Sequence, residues 1–188
     1  MLSREDGEAS QNRGFRDFVL LTGFRGEQIE RHFIDGSRLG LQIAYSHEDQ
    51  PLGTGGAVRD ARAMLGDRFV LTYGDVYRRF DYDRFVTAHQ GPAVAAYERI
   101  RSGNLAIDGD RVVRFDKRAP ELPYVDAGFC VMPSSTIDLI PATGAASFEE
   151  SVFPRLAADG RLTCEILDHN FYEIGTLEQL ERTREALS

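Results

Sequence analysis

The chain has 188 residues, 42% hydrophobic and 28% charged, which is typical of a globular domain with a core of its own. Its formal net charge of −8 argues against broad electrostatic contact with nucleic acid or an anionic membrane, but still permits a small phosphate-bearing substrate. Two cysteines are too few for a disulfide framework, and no apolar run is long enough for a membrane-spanning helix or a signal peptide, so we expect a cytoplasmic protein without nucleic-acid or membrane partners.

The first half of the chain alternates short apolar runs with amphipathic segments. Residues 1–14 are polar and lack periodicity, which predicts a loose N-terminal arm, and residues 15–188 are predicted to form one domain. The elements predicted after the arm are, in order, a strand over 18–22, a helix over 27–33, a strand over 41–45, a glycine-rich loop over 52–56, a helix over 57–65, a strand over 69–73, a helix over 82–89 and a strand over 93–97. This alternation predicts an α/β fold with a Rossmann-like, mostly parallel sheet covered by helices on both faces.

The pattern changes after residue 100. Asp108-Gly109-Asp110 separates two alternating segments and is typical of a β-hairpin turn. The elements predicted in this half are the hairpin strands over 104–107 and 111–115, a long strand over 124–132, a helix over 147–158 capped by Ser147, strands over 164–167 and 171–175, and a final helix from Thr176. These elements predict that a smaller part of the domain has mixed or antiparallel strands.

Glycines dominate the segment Leu52-Gly53-Thr54-Gly55-Gly56. Glycines let a backbone approach a flat base or a phosphate closely, and the start of the next helix offers free N–H groups. The segment differs from a P-loop because no Lys-Ser/Thr pair follows it, and Val58 stands where the dinucleotide fingerprint has its third glycine. Spacing alone leaves two interpretations open, a nucleotide-binding loop and a tight strand-to-helix turn.

Two carboxylates stand next to predicted strands. Asp75 follows a strand that carries no charge, and Glu173 lies between apolar residues just before Gly175. Ligands of open α/β sheets bind at the carboxyl ends of the parallel strands, and carboxylates there can hold Mg²⁺, which prefers oxygen ligands. The alternative interpretations are a turn or cap aspartate for Asp75 and a water-facing edge carboxylate for Glu173.

Other chemical signals are weaker. Lys117 follows the second hairpin strand, where a lysine is usually only solvated. The four histidines show no metal-ligand spacing. The chain also contains no G-x-S-x-G or H-E-x-x-H motif, which argues against serine catalysis and zinc hydrolysis.

Seven segments together carry the pattern of a known family. They are Val19-Leu20-Leu21-Thr22-Gly23-Phe24-Arg25-Gly26-Glu27-Gln28-Ile29, Glu48-x-x-Pro51-Leu52-Gly53-Thr54-Gly55-Gly56-Ala57, Leu71-x-x-Gly74-Asp75, Val113-x-Phe115-Asp116-Lys117, Asp126-Ala127-Gly128, Phe148-Glu149-x-x-Val152-Phe153-Pro154-Arg155-Leu156 and Tyr172-Glu173-Ile174-Gly175-Thr176. Their order and spacing resemble the sugar-1-phosphate nucleotidyltransferase family, and in particular bacterial enzymes that act on heptose or mannose 1-phosphate. The resemblance covers nearly all of the chain from residue 15 onward.

The resemblance implies transfer of a nucleotidyl group from an NTP to a sugar 1-phosphate, with Mg²⁺ as cofactor and pyrophosphate as the second product. It implies that Asp75 and Glu173 are catalytic and hold the metal. The family usually has aspartate where Glu173 stands, and because glutamate reaches further, we expect a different metal geometry. The implied sugar-phosphate-binding residues are Lys117, Asp126 and Gly128, and the implied nucleotide-binding residues are Glu48, Leu52, Gly53, Thr54, Gly55 and Gly74.

The side chain at position 48 bears on the choice of base. The resemblance places Glu48 against the nucleobase, where a carboxylate accepts two hydrogen bonds. That suits the adjacent N–H donors on the Watson–Crick edge of guanine and disfavours the carbonyl acceptors of uracil and thymine. The sequence therefore favours GTP.

One family feature has no counterpart in residues 1–16. The family begins with a strand followed by a G-x-G-T-R loop and a later P-K-P segment, whose basic groups hold the triphosphate and stabilise charge during transfer. Residues 8–16 resemble the end of the helix that follows this segment. With the first strand missing, we expect residues 18–22 or a neighbouring strand to present an unpaired edge, with reduced stability or self-association.

Three functions fit this pattern to different degrees. The first is an enzyme of the nucleotidyltransferase class. The alternative is a non-catalytic nucleotide-sugar-binding or regulatory subunit that has kept the fold and lost the triphosphate loop. A glycosyltransferase also uses a nucleotide-binding α/β sheet, but it usually shows a D-x-D motif, which Gly74-Asp75-Val76-Tyr77 lacks.

Overall fold

The computed structural model of the chain describes residues 2–4, 14–78, 80–119, 121–168 and 172–187. The strands and α-helices in these ranges are β1 (Leu2–Arg4), β2 (Asp17–Thr22), α1 (Gly26–Phe33), β3 (Gln42–His47), α2 (Gly53–Asp60), β4 (Arg68–Thr72), β5 (Val76–Tyr77), α3 (Tyr82–Ala88), β6 (Ala93–Gly103), β7 (Leu105–Asp108), β8 (Arg111–Phe115), β9 (Leu122–Pro133), α4 (Phe148–Ala158), β10 (Thr163–Ile166), β11 (Tyr172–Glu173) and α5 (Leu177–Leu187). Short 3₁₀ helices span Ser37–Leu39, Arg62–Met64 and Ser134–Leu139.

Nine of the described strands form one sheet in the order β3-β2-β1-β4-β9-β6-β10-β8-β7, and β5 and β11 form a separate two-stranded ribbon. β2 pairs in parallel with β3, and β6 with β10, whereas the other neighbours in the sheet are antiparallel. These pairings make β2, β3, β4, β6, β7 and β10 run in one direction and β1, β8 and β9 in the other. The predicted α/β fold is confirmed. The three strands β1, β8 and β9 lie within the sheet between strands that run in the opposite direction.

The centre of the sheet is buried on both faces because its strands alternate apolar side chains to either side. In β4, Phe69 and Leu71 join one core cluster and Val70 joins the other. Helices α2 and α4 cover the first face, chiefly with Val58, Phe148, Val152, Phe153 and Leu156. Helix α3 covers the second face with Phe85 and Val86. This packing confirms the prediction of helices on both faces.

The N-terminal strand corrects one expectation. Leu2–Arg4 lies between β2 and β4 and pairs antiparallel with both, so that Leu2 stands opposite Val19 on one side and Leu71 on the other. The unpaired edge expected at residues 18–22 is therefore filled where β1 pairs, and this part of the predicted loose arm belongs to the sheet. The remainder of the arm, residues 5–13, lies outside the described residues.

The predicted elements of the second half are confirmed, including the hairpin at 108–110 and the Ser147 cap. The Oγ atom of Ser147 accepts a hydrogen bond from the Glu150 N–H at 3.3 Å, which begins α4 as the sequence predicts. Several boundaries differ. The strand predicted at 93–97 continues to Gly103, and α2 begins at Gly53 rather than at Ala57.

No helix in the described ranges combines the length and the apolar character that crossing a membrane requires.

Candidate nucleotide and sugar-phosphate site

The glycine-rich segment is the first turn of α2, and it packs against the residues that precede α4. A Cβ atom on Gly53, whose φ is +69°, would lie 2.6 Å from the carbonyl oxygen of Ala146, and one on Gly55 would lie 3.1 Å from it. That oxygen accepts the Gly55 N–H at 2.8 Å and the Gly56 N–H at 3.4 Å. The glycines therefore permit a close approach of two backbones, and these two N–H groups are already paired within the protein.

Glu48 forms a hydrogen bond at the N-terminal end of this turn. Its Oε2 accepts a hydrogen bond from the Leu52 N–H at 3.0 Å. Its Oε1 lies over Gly23, 2.7 Å from where a Cβ on that glycine would stand. The carboxylate predicted to face the base thus anchors the nucleotide segment as well, and Gly23 leaves room for it.

Glu149 is the residue of this region that the sequence interpretation missed. Only 5% of its side chain is exposed. Its Oε2 accepts hydrogen bonds from the Ser147 hydroxyl at 2.6 Å and from the Thr54 hydroxyl at 3.2 Å. Thr54 in turn accepts the N–H of Phe148 at 2.9 Å. Burial raises the pKa of the Glu149 carboxyl, and the Thr54 hydrogen bond opposes that shift.

Lys117 reaches the same carboxylate from the end of β8. Its Nζ lies 3.4 Å from Glu149 Oε2 and 3.5 Å from Ser147 Oγ, with 42% of the side chain exposed. The predicted sugar-phosphate lysine therefore stands beside the predicted nucleotide segment, and Glu149 connects the two. The only sign of this role of Glu149 in the sequence is that it is an acidic residue in the first turn of α4, and such residues are ordinarily explained by the helix dipole.

Asp126 and Gly128 lie in the middle of β9. The Oδ1 atom of Asp126 accepts the Gly128 N–H at 2.8 Å, and the Asp126 N–H donates to Asn104 Oδ1 at 2.9 Å. Burial raises the pKa of Asp126 to about 6, although the Gly128 N–H and the charges of Arg78 and Lys117 act in the opposite direction.

A small cavity of about 10 Å³ lies between Asp126, Gly128 and Glu149. Tyr73, Asp126, Gly128 and Glu149 all line it, together with apolar side chains of β9 and α4. Another cavity, of about 600 Å³, lies beside Phe18 and Ile43 on β2 and β3, and no predicted site residue lines it. The candidate site is therefore the smaller space between β9 and the start of α4.

Asp75 and Glu173 are brought together by their backbones. The N–H of Ile174 donates to the Asp75 carbonyl oxygen at 2.8 Å, and Glu173 pairs with Val76 across the β5–β11 ribbon. A Cβ on Gly175 would lie 3.7 Å from Asp75 Oδ2. The Glu173 carboxylate lies outside the described atoms, and the described side chains contain no group of three or more acidic, His or Cys residues that could hold a metal.

The ribbon and the glycine turn are linked through β9. The Tyr73 N–H, two residues before Asp75, donates to the Gly128 carbonyl oxygen at 3.3 Å. Gly128 shares the small cavity with Glu149, and Glu149 contacts Thr54. The convergence of the two carboxylates beside this turn remains a prediction.

Residues 6–101 match the family model described as nucleotidyl transferase. The chain belongs to the nucleotidyl transferase family. A mannose-1-phosphate guanylyltransferase of Mycobacterium tuberculosis is 33% identical over 184 residues, which cover 90% of this chain and 51% of the relative. A probable glucose-1-phosphate cytidylyltransferase of Bacillus subtilis is 27% identical over 179 residues, covering 81% of this chain and 70% of the relative.

The fold of this nucleotidyl transferase family member also matches a crystal structure. HddC from Yersinia pseudotuberculosis, complexed with GMP-PN, superposes with a TM-score of 0.74 at 22% identity, over 90% of this chain and 78% of that chain. At this identity the likeness shows the fold. The chain spans about half the length of the mycobacterial relative.

The raised pKa of Asp126 predicts a pH-dependent stability. Between its usual value of 3.8 and about 6, the folded state binds a proton on Asp126 that the unfolded state releases, so this group's contribution to stability falls as pH rises through that window. Relative to Asp126→Asn, the wild-type protein should lose about 1–3 kcal/mol of unfolding free energy between pH 4 and pH 7. Urea unfolding of both proteins at several pH values measures this difference.

The control is Asp83→Asn, which removes an exposed carboxylate from the first turn of α3. Parallel pH profiles for the wild-type protein and Asp126→Asn would contradict the assignment.

Proposed function

We propose that this chain transfers a nucleotidyl group, with GTP as the favoured donor, to a sugar 1-phosphate, and releases pyrophosphate. The observation that carries the proposal is the position of Glu149, which contacts Thr54 and Lys117 and lines one cavity with Asp126 and Gly128. The residues expected for the donor and for the acceptor thus meet at one carboxylate.

The nucleotide side of the site is assigned to the turn at the start of α2. Glu48 accepts N–H donors of the base while it holds the Leu52 N–H. The Gly55 N–H is already bound to Ala146, so the turn acts through its shape and its close packing rather than as an anion cradle. The residues assigned to nucleotide binding are Glu48, Leu52, Gly53, Thr54, Gly55 and Gly74.

On the acceptor side, Lys117, Asp126 and Gly128 bind the sugar phosphate. An oxygen of its phosphate attacks the α-phosphorus of GTP, a new P–O bond forms there, and the bond to the β-phosphate oxygen breaks as pyrophosphate leaves. The protein forms no covalent intermediate, so its residues act by orientation and charge. Lys117 offers its ammonium group to the acceptor phosphate, and Glu149 holds that ammonium in place.

Asp75 and Glu173 are assigned to Mg²⁺. Asp75 Oδ2 lies beside the space that Gly175 leaves free of a side chain, and Glu173 pairs with Val76, the neighbour of Asp75. Carboxylates suit a hard cation that prefers oxygen ligands. The metal would neutralise the phosphate charges. The backbone hydrogen bond from Ile174 to Asp75 sets the spacing between the two segments.

The preference for GTP is supported by the carboxylate at position 48 and by the similarity to a mannose-1-phosphate guanylyltransferase. We assign the protein to the cytoplasm, where nucleoside triphosphates are available. The second candidate is a non-catalytic nucleotide-sugar-binding subunit, and a measurement of activity distinguishes it from the enzyme.

The chain incubated with mannose 1-phosphate, Mg²⁺ and GTP should release pyrophosphate faster than with CTP or UTP. Asp75→Asn should lower that rate at least about 100-fold, because it removes a carboxylate assigned to the metal. An enzyme-coupled pyrophosphate assay makes the measurement, with Asp83→Asn as the matched control. Binding of a GDP-sugar without turnover would favour the non-catalytic subunit and contradict the enzyme.

Glu48→Gln should reduce the preference for GTP over CTP about tenfold or more. Glutamine can still accept the Leu52 N–H through its carbonyl oxygen, so the turn is retained, whereas one acceptor for guanine becomes a donor. The ratio of kcat/KM values for the two nucleotides reports the change. Asp49→Asn, an exposed neighbour, is the control, and an unchanged ratio in Glu48→Gln would rule out base recognition by this residue.

A further inference from the structure

Arg78 is a buried cation for which the sequence predicted no role. It follows β5, and only 4% of it is exposed. Its Nε donates to the Ala127 carbonyl oxygen, and its Nη1 donates to Thr72 Oγ1 at 2.9 Å and to the Val76 carbonyl oxygen at 3.2 Å. These bonds fix the guanidinium between the end of β4 and the middle of β9.

The remaining nitrogen, Nη2, is buried and has no hydrogen-bond partner among the described residues. No carboxylate in the described ranges lies within ion-pair distance of Arg78, although Asp126 and Asp75 both attract its charge from further away. A guanidinium keeps its proton under physiological conditions, so the charge and its unused donor persist. A buried donor without a partner in the protein can donate a hydrogen bond to an acceptor atom of a bound ligand.

The unused donor lies beside Gly128, one of the residues that line the candidate site. A Cβ on Gly128 would lie 2.6 Å from Arg78 Nη2 and 2.6 Å from Cδ2 of Tyr73. Gly128 has a φ of +66° and no side chain, so it leaves this space to the arginine and the tyrosine. The Tyr73 hydroxyl is also buried without a partner among the described residues. Tyr73, Asp126 and Gly128 then line the small cavity that reaches Glu149.

We propose that Arg78 is a further binding residue of the acceptor site, and that its Nη2 donates to a phosphate oxygen of the sugar 1-phosphate. This inference rests on the proposed function, which assigns Asp126 to the sugar and Asp75 to the metal. The 1-phosphate connects the sugar to the metal, and Arg78 is the cation that both carboxylates attract.

The test compares binding of mannose 1-phosphate and of unphosphorylated mannose by calorimetry. Arg78→Met should raise the Kd for mannose 1-phosphate about tenfold or more, because a charged hydrogen bond to phosphate is lost. It should change the Kd for mannose and for GTP by less than about twofold. Arg78→Lys, which keeps the charge without the planar donor set, should fall between the wild-type protein and Arg78→Met.

Arg59→Met is the matched control, because Arg59 also donates to two backbone carbonyl groups, those of Pro141 and Gly144, outside the candidate site. Since Arg78 variants also lose structural hydrogen bonds, the wild-type protein provides a second measurement. Its crystal structure with mannose 1-phosphate should place a phosphate oxygen about 3 Å from Arg78 Nη2.

The outcomes separate the two proposals. If the wild-type protein binds mannose 1-phosphate and Arg78→Met binds it equally well, or if the phosphate lies away from Nη2, this inference is overturned and the proposed function stands. If the wild-type protein binds neither mannose 1-phosphate nor GTP, the proposed function fails and this inference fails with it.

Discussion

The docking of the start of α4 onto the start of α2 is the constraint on which the site depends. Two glycines let the Ala146 carbonyl group approach the turn, and Thr54 exchanges hydrogen bonds with the segment 148–149. Glu149 is almost fully buried there, where hydrogen bonds to a charged group contribute about 1.5–3 kcal/mol each. Segments nearly one hundred residues apart in sequence are thereby held in one register.

This contact organises the chemistry because other elements converge on it. The β7–β8 hairpin places Lys117 beside Glu149. Strand β9 carries Asp126 and Gly128, which line the small cavity together with Glu149. The backbone of β9 also accepts Arg78, which stands between Asp126 and the segment of Asp75. A chain with a net charge of −8 therefore places two of its basic side chains, Lys117 and Arg78, close to this cavity, where we propose that the sugar phosphate binds.

Local patterns predicted most of the fold and part of the site. Apolar runs and turn residues gave the strands and helices, because period and capping are properties of neighbouring residues. The antiparallel strand at 2–4 was missed because a polar segment gains its place only through partners in β2 and β4. Glu149 and Arg78 were missed for a similar reason, since burial of a charged side chain depends on contacts distant in sequence. The glycine-rich turn had two open interpretations, and its glycines now have a structural explanation in the close approach of Ala146.

A double-mutant cycle on Thr54 and Glu149 tests this account most directly. Thr54→Val, Glu149→Leu and the double variant are unfolded in urea at pH 7, together with the wild-type protein; leucine is used because glutamine would still accept the Thr54 hydroxyl. If the buried hydrogen bond joins the two helix starts as described, the two changes should be non-additive, with a coupling energy of about 1–3 kcal/mol. Changes in unfolding free energy that add to within about 0.5 kcal/mol would show that the contact does not hold the site together.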